Sequence, residues 1–111
     1  TETSSSLDEL NRMRTLNMLN SSDAELASAG TRKIYNKYTR DLAMVSKVNE
    51  LLLANYKKPA SEEQLDTLAW MCRTLGESGI KEFKPTLEAI SQDPSTPKKL
   101  VKYAAKYKAI L

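Results

Sequence analysis

"SEEQLDTLAWMCRTLG", Ser61 to Gly76, is the stretch on which the reading of the fold turns. Ser61 followed three residues later by Gln64 is a capping box: the hydroxyl accepts a first-turn N–H and the Gln64 side chain reaches back. Leu65, Leu68, Ala69, Cys72 and Leu75 then fall at i, i+3, i+4, i+7 and i+10, one stripe on a helix of 3.6 residues per turn. Gly76 stands where a left-handed residue commonly ends such a helix. The stretch therefore predicts an amphipathic helix that buries one face.

Working outward, five more helices follow from the same signals. Toward the N-terminus, Ser6 and Glu9 form another capping box, and Leu7, Leu10, Met13, Leu16 and Leu19 supply an apolar side. Residues 1–5 read as a disordered tail before a single domain of residues 6–111. A second helix starts at Ser22, with Glu25 three later, and turns Leu26, Ile34 and Tyr38 inward. Gly30 in its middle costs about 1 kcal/mol relative to Ala, which predicts a close crossing with another helix. A third runs from Arg40 to Tyr56 on Leu42, Val45, Val48 and Leu52, and Pro59 stops it. Beyond Gly76, a short fifth helix spans Lys81 to Gln92, with Pro85 harmless in its first turn and Phe83, Leu87 and Ile90 inward. The sixth has Thr96 as its cap and Pro97 at its first helical position. Its stripe is Leu100, Tyr103, Ala104, Tyr107 and Leu111. No strand pattern survives, and short loops make successive helices antiparallel neighbours.

Three of these helices share a spacing. A hydroxyl cap precedes a leucine by four residues and a small residue by eight: Ser22, Leu26, Gly30; Ser61, Leu65, Ala69; Thr96, Leu100, Ala104. Single hairpins cannot bury their apolar faces, whereas stacked ones can. The chain thus reads as an all-α stack of three antiparallel helical hairpins, with the three leucines in the seams.

From Leu65 onward the chain also resembles HEAT-like repeats of the type found in phycobilisome-lyase-like and related bacterial proteins. The segment "LAWMCRTLGESGIKEFKPTLEAISQDPSTPKKLVKYAAKYKAIL", Leu68 to Leu111, carries the likeness. Leu75-Gly76 ends an alanine-bearing helix, and Pro85-x-Leu87-x-x-Ile90 marks a short one ahead of Asp93. Val101-Lys102-Tyr103-Ala104-Ala105 stands where such repeats have Val-Arg-x-Ala-Ala, with lysine in place of the arginine. The resemblance implies a right-handed α-solenoid with a binding or scaffolding role; residues 1–60 share only the periodicity.

Composition narrows the chemistry. The chain has 111 residues, 41% hydrophobic and 28% charged, enough for one core. Histidine is absent, which removes the commonest general base and zinc ligand. A lone cysteine, Cys72, allows no internal disulfide and lies on the core stripe, so it reads as an inert buried thiol. No apolar run approaches the ~18 residues of a membrane span, so a soluble protein is expected. The chain begins at Thr1, which reads as a processed or trimmed end and leaves export or a cytoplasmic location open. No phosphate loop, nucleophile elbow or zinc spacing occurs, so no catalytic residue, metal or cofactor is assigned.

Two surface sets stand out. Trp70 lies about 140° around its helix from Leu65, among Asp66, Arg73 and Glu77. An aromatic residue among charges reads as an anchor for another protein, since Trp and Arg are frequent hot-spot residues. The competing reading packs Trp70 against a neighbouring hairpin. The second set is Lys98, Lys99, Lys102 and Lys106 on the last helix, read first as the solvated face of a terminal hairpin and otherwise as an anion-binding face. The five tyrosines read as core-edge residues with hydroxyls in water. The expected function is a non-enzymatic protein-interaction or scaffolding module. The alternatives are a nucleic-acid-binding repeat that uses the lysine face, or a lyase-like or accessory enzyme subunit.

Overall fold

The computed structural model describes residues 2–111, with side chains described from Leu7 onward. The described residues form six α-helices and no strand: α1 (Glu2–Leu19), α2 (Ala24–Lys37), α3 (Leu42–Asn55), α4 (Glu62–Glu77), α5 (Lys84–Gln92) and α6 (Lys98–Ile110). A 3-10 turn, Lys81–Phe83, leads into α5, which carries Pro85 in its first turn as expected. The molecule is a slab of 49 × 29 × 17 Å. Helix α4 is its centre: α2 and α6 flank it and α3 packs on it, while α1 packs on α2 and α5 on α6.

The start of α4 matches the sequence. Ser61 Oγ accepts from Gln64 N–H at 3.1 Å, and Gln64 Oε1 returns to accept the Ala60 N–H. Other starts shift. Asp23, not Ser22, caps α2, accepting the N–H groups of Glu25 at 2.9 Å and Leu26 at 3.4 Å. A carboxylate one residue nearer the first turn offers a charged acceptor in place of a hydroxyl. Asp41 caps α3 and also holds Arg12 at 3.0 Å. Thr96 does not cap α6: its hydroxyl is buried without a hydrogen-bond partner, and Pro97 precedes the first helical residue, Lys98. Helix α1 begins at Glu2, so residues 2–5, expected as a disordered tail, are helical and Ser6 lies a full turn past the start; Thr1 lies outside the described residues.

The glycines divide the work differently from the expectation. Gly76 is helical and buried; a Cβ there would meet Tyr107 Cβ at 2.6 Å, so its absence lets α4 and α6 close up. The left-handed residue is Gly79, with φ +70°. Gly30 is at the close crossing expected of it: a Cβ would lie 2.7 Å from the Leu19 backbone nitrogen.

Ile34, Met44, Val45, Val48, Leu52, Leu68, Cys72, Leu75, Leu87, Ile90 and Leu100 are fully buried and join the helices in one core. Two expectations fail here. Leu26 is 46% exposed, whereas Leu65 is half-buried and Leu100 fully buried, so the proposed seam leucines are not equivalent. The buried face of α2 passes through Gly30, Thr31 and Ile34, and at 100° per residue Leu26 points about 80° away from Ile34. The small positions do agree: Gly30, Ala69 and Ala104 are all buried. Of the five apolar residues expected on the inner side of α1, Leu7, Leu10 and Met13 are exposed, Leu16 is half-buried and Leu19 is buried. A spacing of three falls about 60° short of a full turn at every step, so five such residues wind around the helix and cannot share one face.

Candidate functional site

The outer side of α4 carries Asp66, Trp70, Arg73 and Glu77, at i, i+4, i+7 and i+11, a spacing that keeps them along one flank. Glu77 and Asp66 are exposed, while Trp70 and Arg73 are half-buried. Trp70 therefore packs against a neighbouring helix, as one of its two readings expected, and keeps partial exposure. Its ring packs edge-on against Tyr35 of α2, with centroids 5.4 Å apart and an interplanar angle of 67°. The guanidinium of Arg73 lies 4.6 Å from the Tyr35 ring centroid and 5.0 Å from that of Trp70. These are cation–π contacts, and they fix an otherwise flexible side chain between two rings. No carboxylate lies within ion-pair distance of Arg73 among the described residues, and its Nε is buried without a hydrogen-bond partner.

Helix α6 adds the other wall. Lys99 pairs with Asp66 across the α4–α6 seam. That hydrogen bond holds the Lys99 ammonium above its ordinary value. Tyr103 stacks on Tyr107, with centroids 6.4 Å apart and the rings within 6° of parallel. Burial chiefly raises the Tyr107 hydroxyl above its ordinary value. A cleft of about 200 Å³ opens between the helices, lined by Asp66, Ala69, Trp70, Arg73, Lys99 and Tyr103.

The two surface sets singled out from sequence thus meet at Asp66 and Lys99. Lys98, Lys102 and Lys106 are exposed on α6, and Lys106 lies 5.4 Å from the Tyr107 ring centroid. Tyr35 and Tyr103 escaped the sequence reading as site residues. They complete the cluster from helices 35 and 33 residues away along the chain, and helical periodicity carries no signal for which neighbours a helix meets.

A larger groove of about 340 Å³ lies where the α1–α2 turn approaches the start of α4. Leu19, Leu51, Leu68 and Met71 line it with Asn20, Ser21, Asn55, Ser61 and Gln64, and no ionisable side chain contributes. Among the described residues, the carboxylate held below its usual range is elsewhere. Asp93 accepts the Tyr56 hydroxyl at 2.6 Å and the Ser95 N–H at 2.8 Å, with Lys57 3.7 Å away. These bonds, Tyr56 first, lower it, and they tie the end of α3 to the α5–α6 turn. Tyr56 and Tyr107 are thus buried, not at the core edge as expected.

Set against known proteins, the chain matches no family model, no curated protein and no solved structure.

Proposed function

We propose that this chain is a non-enzymatic protein-interaction module that docks its partner on the flank of α4 around Trp70. The carrying observation is the arrangement of Tyr35, Trp70 and Arg73: two rings and a cation from two helices, ordered against each other and half open. Rigid aromatic side chains beside a half-buried, ring-held arginine are the usual makings of an interface hot spot, because little side-chain freedom is lost on binding. The contacts of α1 with α2, α3 with α4 and α5 with α6, with α4 between α2 and α6, are those of a solenoid-like stack of three hairpins, and this supports the stacked reading. In such a stack the flanks of the inner helices run together into one extended face.

The test compares partner capture by the immobilised chain and by its Trp70→Ala variant. Binding should weaken by about 2 kcal/mol or more in the variant and change little between low and moderate salt. Capture that is equal for both proteins contradicts the reading.

The exposed Lys98, Lys102 and Lys106 favour one other reading, a nucleic-acid face on α6. Its signature is affinity for a duplex oligonucleotide that falls steeply with added salt and is lost in Lys102→Glu with Lys106→Glu. Lys99 contributes less to it, being paired with Asp66.

A further inference from the structure

The cleft between α4 and α6 has a chemistry more specific than a general docking surface. Arg73 reaches it with a buried Nε that lacks an acceptor, and its guanidinium is covered by Tyr35 and Trp70. A guanidinium carries five donors in a planar fork and no acceptor. Covered by rings and given no carboxylate, it is a preorganised cation without its counter-charge. The cleft's only acid, Asp66, is engaged by Lys99, which leaves the lining with a net positive charge centred on Arg73. The apolar walls are Ala69, the Trp70 indole and the Tyr103 ring. A volume of about 200 Å³ is below the ~300 Å³ at which pockets for drug-sized ligands begin. It has room for one side chain.

We infer that this cleft is a specificity pocket for a single acidic side chain of the partner protein. A partner Asp or Glu enters between α4 and α6, its carboxylate meets the fork of Arg73, and its methylene stem lies against Trp70 and Tyr103. The Asp66–Lys99 pair closes the outer rim and keeps Asp66 from repelling the incoming charge. The inference rests on the proposed docking face and adds to it the chemical class of the residue that is read there.

The experiment uses a displayed library of random peptides, selected on the full chain and counter-selected on its Trp70→Ala variant. Selected peptides should share one Asp or Glu position. Replacing that acid with its amide should cost about tenfold or more in affinity for the wild-type chain, the scale of a hydrogen bond to a charged group. The same replacement should cost almost nothing against Arg73→Gln, because the acid's partner is already gone. Arg73→Lys, which keeps the charge but not the fork, should fall between the two. Peptides that depend on Trp70 but show no acid preference, or whose acid matters equally with and without Arg73, overturn the acidic-pocket assignment and leave the docking face standing. Selection that yields only peptides insensitive to Trp70→Ala overturns the docking face itself. Arg73→Lys, which keeps the charge, carries the comparison if Arg73→Gln unfolds: an acid-to-amide cost as large in Arg73→Lys as in the wild-type chain would overturn the fork's role.

Discussion

Cys72 and Trp70 stand two residues apart on α4 and have opposite surroundings. Cys72 is fully buried, and burial pushes its thiol up to about 12. The thiolate is the reactive form, so at pH 8 the native protein should leave a thiol reagent unconsumed and react only once denaturant unfolds it. Rapid labelling of the native chain would show an opening at α4. Asp93 and Tyr56 supply the pH dependence. The folded carboxylate sits below its ordinary value, so its contribution to stability is complete above about pH 4. It is lost as the pH falls through the lowered value. Tyr56 is raised, first by the same bond, so its contribution holds below about pH 10 and is lost as the pH climbs. Tyr56→Phe should therefore lower the melting temperature at pH 7 and flatten the acid limb of a stability–pH curve. An unchanged acid limb would deny the bond its role. The position of Cys72 was legible in the sequence because a stripe position is a burial statement. The bond from Tyr56 to Asp93 was not, since it spans 37 residues and joins two turns.

At the scale of elements, helix existence was legible and helix roles were less so. Six segments read as helices became six helices, because helix propensity, the breakers between segments and, at Ser61, capping chemistry are local. The meaning of each glycine is set by its neighbour across space. Gly30 abuts backbone, which cannot move aside, so Gly30→Ala should cost about 1–3 kcal/mol despite alanine's better helix propensity. Gly79→Ala has open space around it and costs only the strain of positive φ, about 1 kcal/mol. Denaturant midpoints of the two variants measure the difference; a stabilised Gly30→Ala would refute the tight α1–α2 crossing. Leucine spacing misled in α1 and at Leu26. Three-residue intervals in α1 are not a face, and Leu26 lies on a flank of α2 that the core does not cover. Only the small residues at 30, 69 and 104 kept a shared property, burial.

For the whole molecule, α4 is the element on which the rest converges, with the core on one side and the proposed docking face on the other. The buried side continues into α6 through Leu100, Ala104 and Tyr107, while the lysines of α6 face solvent. Leu100→Asp should cost several kcal/mol, because a carboxylate enters the core without a partner. Amide-exchange protection should be lost across α5 and α6. Lys98→Glu combined with Lys102→Glu should stay within about 0.5 kcal/mol of the parent. A double variant that melts as early as Leu100→Asp would reverse the assignment of faces. The outer side of α4 carries the proposed function, and the chain has one tryptophan, Trp70, placed at its centre. Its emission therefore reports on the proposed docking face. The most direct test is a fluorescence titration of the chain with a captured partner or a selected acidic peptide. The account predicts a saturable change in Trp70 emission whose midpoint matches the independently measured affinity; binding that saturates while the emission stays unchanged would contradict it.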